Sequence, residues 1–264
     1  KKFEEKDHGG EIKKLKKAGD IDFKIITYSK GKKNKKRAKL FSRLIREITV
    51  SAKLGLPDPD SNPRLRSAVN NALASNMTKD TIDKAIKKHS ENSSNNKIEE
   101  IIYEGYGPGG TAIIIESFTD NKNRSASEIR TTFSKYNGNL GTSGSVKHLF
   151  EKVGIIVYNK KVDSFDSFFE FSASINVKDV NEVEDNYEIE TTLDKFHIIL
   201  EGFEKKYKIP ISANLEWRTR DLINLDESNA SKFINLIEKL EELDDVQNIF
   251  SNSNISDEIM EKLI

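Results

Sequence analysis

The sequence contains no cysteine, one tryptophan, two methionines, four histidines and five prolines in 264 residues. Without cysteine, a disulfide scaffold, a thiolate-ligated zinc or iron–sulfur centre and a thiol nucleophile are all excluded. The histidines, His8, His89, His148 and His197, have no neighbour at metal-ligand spacing. No apolar run approaches the roughly 20 residues that a membrane span needs. The N-terminus is lysine-rich and lacks the apolar core of a secretion signal, so a cytoplasmic bacterial protein is expected, with a mitochondrial or plastid matrix as the alternative. The chain does not begin with methionine, as expected of a fragment or a processed form.

Net charge is also absent, because 43 basic residues match 43 acidic ones. The balance is not local. Residues 1–97 hold 25 Lys and Arg against 12 Asp and Glu, whereas residues 98–264 hold 18 against 31. A basic segment on a neutral chain points to an acidic partner, most often nucleic acid, because binding depends on local potential rather than on the total. The charge peaks in KGKKNKKRAKLFSRLIR, residues 30–46. Leu40, Phe41, Leu44, Ile45, Ile48 and Ala52 recur at helical spacing and predict a helix from Lys35 to Leu54, stopped by Gly55. Lys36, Lys39, Arg43 and Arg46, three or four apart, line another side of that helix. A charged face is often merely solvated. Here the lysine run leads straight into the stripe and Glu47 is the one acid in the helix, which favours polyanion binding. The phosphate-contact candidates are Lys30, Lys32, Lys33, Lys35, Lys36, Arg37, Lys39, Arg43 and Arg46, with Arg64 and Arg66 in second rank.

Asn62 and Pro63 open a second helix with Leu65, Ala68, Val69, Ala72 and Leu73 inward, and Thr78 caps a third. ENSSNNK, residues 91–97, is a polar linker. Beyond it, strand-type and helix-type runs alternate. TAIIIES, HLFEKVGIIVYN, NYEIETT, SANLEWRT and DVQNIFSN read as strands; helices are expected at about 124–136, ended by Gly138, in LDKFHIILEGFEKKY and in SKFINLIEKLEEL. Residues 11–18 suggest a short helix and IDFKIITY a short strand. Short alternating elements without a doubly wound repeat predict an α+β fold of small sheets, each with helices on one face.

Gly105, Gly107 and Gly110 match G-x-G-x-x-G, but β-branched residues follow, so the loop enters a strand and not the helix that a dinucleotide site requires. A Pro-Gly turn between strands is the better account. Tyr103 and Tyr106 beside it are candidates for stacking on bases or for packing. Asp58 and Asp60 flank a proline turn. The acidic group Asp179, Glu182, Glu184, Asp185, Glu188 and Glu190 lacks the calcium-loop pattern and is expected on a loop and an exposed strand face. No catalytic, cofactor-binding or metal-ligating residue is assigned, and no enzyme is expected.

The stretches KKRAKLFSRLIREITVSAKLG, NPRLRSAVNNALASNM and IIYEGYGPGGTAIIIESFTDNKNRSASEIRTTFSKYNGNLGTSGSV resemble the YebC/PmpR family, as does the terminal LDDVQNIFSNSNIS. The resemblance covers residues 30–264; residues 1–28 do not match, and Thr78 stands where the family has proline. It implies three domains, helical then two α+β domains, the third inserted in the second. The expected division is an arm at 1–29, a basic helical domain at 30–97, a central domain at 98–145 and 209–264, and an acidic insert at 146–208. Strand 213–219 would then lie in the central sheet. The resemblance implies a DNA-binding transcriptional regulator. It also implies an alternative, since relatives assist the ribosome through proline-rich stretches and a mitochondrial relative activates translation of a cytochrome oxidase subunit. Promoter DNA, or ribosomal and transfer RNA, are the implied partners, without cofactor.

Overall fold

The computed structural model describes residues 33–91 and 98–263. The helix and strand expected within residues 1–29, together with Lys30, Lys32, His8 and the 92–97 stretch of the linker, lie outside the described residues.

Three helices form the first unit: α1 (Lys33–Leu54), α2 (Pro63–Ala74) and α3 (Lys79–Glu91). Ile48 and Ala52 of α1 meet Leu65, Ala68 and Ala72 of α2 and Met77, Ile82 and Ala85 around α3 in one buried cluster. The expected stripe fades toward the start of α1, where Leu40 is 46% exposed. Length explains this: α1 has 22 residues against 12 and 13 in its partners, and at about 1.5 Å per residue its first turns overhang them. Asn62 closes the α1–α2 loop from both sides. Its carboxamide oxygen accepts from Leu65 N, and its Nδ2 donates to the Ser51 and Leu56 carbonyls.

The central unit contains β1 (Glu99–Tyr106), β2 (Ala112–Thr119), α4 (Lys122–Lys135) and β3 (Asn139–Leu140). After the insert come β8 (Ile223–Asn224), α7 (Glu227–Glu242), β9 (Val246–Ser251), β10 (Ser253–Asn254) and α8 (Asp257–Leu263). Its antiparallel sheet has the order β3-β1-β2-β9, and β8 and β10 pair in parallel beside it. Strand β2 is buried along its whole length because both faces are covered. Ile113 and Ile115 meet Ile129 and Phe133 of α4 and Phe233, Leu236 and Leu240 of α7. Ala112 and Ile114 face Val146, Phe150, Trp217 and Phe250. Helix α4 is capped by Asn121. Its end differs from expectation in one residue: Asn137, with φ of 64°, takes the left-handed position, and Gly138 N donates to Phe133 O.

The insert holds β4 (Glu151–Asn159), α5 (Phe165–Ser174), β5 (Asp179–Val183), β6 (Asn186–Thr192), α6 (Phe196–Tyr207) and β7 (Ser212–Arg218). Its sheet order is β5-β6-β4-β7. Strand β7 pairs antiparallel with β4 from Glu151↔Arg218 to Val157↔Ser212. The expectation that this strand joins the central sheet is therefore not met. The sheets instead stack at Trp217, whose indole packs against the back of β2. Helix α5 was not legible, because its run FDSFFEFSAS is poor in strong helix formers. It forms because Ser164 caps it and Phe168 anchors a cluster with Tyr158, Tyr187, Phe203 and Tyr207.

Candidate nucleic-acid interface

The contact candidates separate along α1. Lys33, Lys35, Lys36 and Arg37 lie in its overhanging first turns. Their side chains are outside the described residues. No acid occupies the first turn, and cations at that end work against the helix dipole, so the sequence forgoes local stability there.

Lower on the helix, the anticipated free stripe is not free. Arg46 Nη1 donates to Asp244 O at 2.5 Å and Phe118 O at 3.3 Å, and lies 3.4 Å from Asp245 Oδ1. Its guanidinium ties α1 to the central unit. Arg43 is half-buried with its Nε shielded and without a hydrogen-bond partner. Burial pushes the Arg43 guanidinium down, and Glu241 opposes this. Burial and Arg43 also lower the Lys39 ammonium, while Asp244, Glu241 and Glu242 pull it back up. Three of the four stripe residues thus face the acidic end of α7, a correction that follows from docking the helical unit against that end.

Of the second-rank arginines, Arg64 is engaged as well. Arg64 Nε donates to Glu47 Oε1 at 2.8 Å and Nη1 to Glu100 Oε2 at 3.0 Å, and the guanidinium lies over the Phe118 ring at 5.8 Å. Burial opposes its charge, but the two carboxylates outweigh it and raise the group. Arg66 lies beside an interdomain groove of about 370 Å³ with Asp60, Val69, Asn70, Glu204, Lys208 and Ile209. Burial and the Arg66 charge lower the His197 imidazole. Arg64 is thereby held at the domain boundary, whereas Arg66 is half-buried at the groove.

Asp245 is the centre that the sequence did not reveal. Its Oδ2 accepts from Thr119 Oγ1 at 2.9 Å, Ser125 Oγ at 2.6 Å and Arg124 Nη2 at 2.8 Å. Burial would raise this carboxyl, but the donors, led by Arg124, hold it below the ordinary range. A legible signal existed in EKLEELDD, residues 238–245, because five acids against one lysine at a helix C-terminus oppose the dipole and call for cations from elsewhere.

The glycine-rich segments carry no empty anion cradle. The loop of Gly105, Gly107 and Gly110 runs from β1 into β2, as the β-branched residues predict. Gly109 takes φ of +73° in the turn. Gly105 is small because a Cβ there would meet Phe133 and Asn139 O at 2.8 Å. In the 141–147 loop, the N–H groups of Gly144, Val146 and Lys147 converge on the Glu104 carboxylate at 2.7–2.9 Å, so the nest is already filled. Tyr103 packs against the helix-covered core, and the half-exposed Tyr106 donates to Ser145 O at 2.9 Å. Asp58 accepts from Ser61 Oγ and Asp60 N within the proline turn. Among the described residues no cluster of His, Asp and Glu is arranged to hold a metal ion, and no helix is long and apolar enough to cross a membrane.

Comparison with known proteins agrees with this architecture. A family model described as the TACO1/YebC protein N-terminal domain matches residues 22–92, which extends the similarity upstream of residue 30, and one described as the TACO1/YebC second and third domain matches residues 98–253. A probable transcriptional regulatory protein of Zymomonas mobilis is 47% identical over 246 residues, covering 93% of this chain and 98% of that one. A protein of the same description from Geobacter sulfurreducens is 44% identical over 247 residues, covering 94% and 100%. The crystal structure of the conserved hypothetical protein Aq1575 of Aquifex aeolicus superposes with a TM-score of 0.80 at 41% identity, over 89% of this chain and 97% of that one.

Proposed function

The chain belongs to the TACO1/YebC family, and on that premise we propose that it is a non-enzymatic regulator of gene expression that binds nucleic acid through the overhanging half of α1. The carrying observation is that Lys33, Lys35, Lys36 and Arg37 extend beyond the helical core with no acid before Glu47. Cations there oppose the dipole, and phosphates would offset that cost. The description of the Zymomonas and Geobacter relatives as probable transcriptional regulators supports DNA as the ligand.

One observation favours a second reading, structured ribosomal or transfer RNA. A helix-turn-helix reader presents its second helix to the major groove. Here α2 faces the insert: Asn70 donates to Glu204, and Asn71 bonds Ala213 and Asn214. Recognition of backbone shape needs no such helix.

The test is fluorescence anisotropy with a duplex DNA and with a ribosomal RNA stem across a salt series. Each phosphate contact contributes about −0.9 to the slope of log K against log salt on duplex DNA. Changing Lys33, Lys35, Lys36 and Arg37 to Gln should weaken binding and flatten the slope by about three units. A folded variant that retains the parental affinity and slope on both probes would refute the assignment.

A further inference from the structure

Both ends of this contact are locally unfavourable. Helix α7 ends in Glu241 and Glu242, followed by Asp244 and Asp245, against its own dipole. Helix α1 concentrates Lys39, Arg43 and Arg46 on one side, where like charges three and four apart repel. Docked together, the two sets offset each other in part: Arg46 donates to the Asp244 carbonyl and lies 3.4 Å from Asp245, while Glu241, Glu242 and Asp244 act on Lys39 without fully opposing its burial and the Arg43 charge. Lys239 pairs with Glu242 within α7 at 2.9 Å, and the local conflict that is left over is of the kind found at functional or strained sites.

We infer that the acidic end of α7 is an internal phosphate mimic that latches the helical unit, so that nucleic acid gains the lower half of the α1 basic face only when the unit swings off the central sheet. The inference rests on the nucleic-acid reading above and adds its regulation. The overhanging cations make the first encounter. Further neutralisation by Lys39, Arg43 and Arg46 then competes with the carboxylates. Because the coupling is reciprocal, weakening the latch must strengthen binding, and binding must loosen the latch by the same factor. The other polar ties across this boundary, Arg64 to Glu100 and Asn71 to β7, set how far the unit departs.

The experiment uses the full chain with Glu241→Gln, Glu242→Gln and Asp244→Asn combined. Buried Asp245 is left intact, so the Thr119, Ser125 and Arg124 bonds survive. A control removes three exposed acids of the insert, Glu170→Gln, Glu184→Gln and Asp185→Asn. Binding to the same duplex DNA and RNA stem is measured across salt. Because native cysteine is absent, spin labels at Asp83→Cys and Lys232→Cys report the distance between the helical and central units. The latch predicts at least about fivefold tighter binding for the α7 variant than for parent and control. It also predicts a steeper salt slope and a longer inter-label distance when nucleic acid is added to the parent. An α7 variant that matches the parent or the control overturns the latch while the binding reading stands, as does an unchanged distance in the nucleic-acid complex. If parent and α7 variant both bind neither probe, the functional reading fails and the latch falls with it.

Discussion

Glu104 sits 4% exposed beneath the 141–147 loop, and its two oxygens accept from three backbone N–H groups of that loop. Burial alone would raise its carboxyl. The N–H donors of Gly144, Val146 and Lys147 and the Lys147 charge outweigh it and hold the group below its ordinary value. A carboxyl depressed in the folded state contributes stability that is present above its unfolded value and disappears as pH falls through the folded one. Replacing Glu104 by Ala should therefore cost about 3 kcal/mol in urea unfolding at about pH 7, since three donors are orphaned in a buried site. The difference between parent and variant should shrink as pH is lowered toward about 3. An equal difference at both pH values would show that folding does not lower this carboxyl. Glu116 plays a related part between the sheets, accepting from Trp217 Nε1 at 2.9 Å, Lys152 Nζ at 3.0 Å and Asn248 Nδ2 at 3.0 Å.

At the scale of elements, α2 is tied to an edge strand by a side chain. Strand β7 ends the sheet order β5-β6-β4-β7, so its outer N–H and C=O groups lack a strand partner. Asn71 supplies one: its Oδ1 accepts from Ala213 N at 3.1 Å and its Nδ2 donates to Ala213 O at 3.3 Å and to Asn214 Oδ1 at 2.7 Å. The carboxamide thus imitates one residue of a neighbouring strand. Asn71→Ala should lower stability by about 1–2 kcal/mol. It should also raise hydrogen exchange at Ala213 more than at the inner strand β4. Unchanged exchange at Ala213 would mean that this tie contributes nothing to the edge. The small residues Ala68 and Ala72 of α2 remain in the helical core, so the unit itself should stay folded.

For the whole molecule, the two kinds of boundary differ in chemistry. The sheets are joined by an apolar seam of Val146, Phe150, Trp217 and Phe250 around the buried Glu116. The helical unit is joined to them by polar contacts of Arg46, Arg64, Asn70 and Asn71. Salt screens exposed charge pairs and strengthens apolar burial. Raising salt to about 1 M should therefore loosen the helical unit while leaving the sheets joined. Hydrogen exchange should rise at the α1 and α2 amides facing the sheets, with fluorescence of the single tryptophan, Trp217, unchanged. A simultaneous change in both signals would indicate one cooperative body. The charge division of the chain acquires its meaning at this scale, because the basic segment is partly consumed by the acidic one within the fold.

The sequence by itself determined the helical unit, the family, the α+β class and most elements beyond residue 98, because these depend on local periodicity, capping and turn chemistry. The stripe Leu44, Ile45, Ile48 and Ala52, the Asn62 and Asn121 caps and the strand that follows the glycine loop all lie within a few residues of what causes them. It also located the basic run, since charge is additive along a chain. Only the tertiary structure decided which basic residues remain available and which sheet claims Ser212–Arg218. Both depend on partners far away in sequence: Arg46 meets Asp244, Arg64 meets Glu100, and β7 pairs with β4 rather than returning to the central sheet. An arginine three residues along a charged face looks the same whether its guanidinium will meet water, a phosphate or a carboxylate 199 positions later, as for Arg46 and Asp245. Burial and ion pairing are properties of the space around the group, and no local pattern records them.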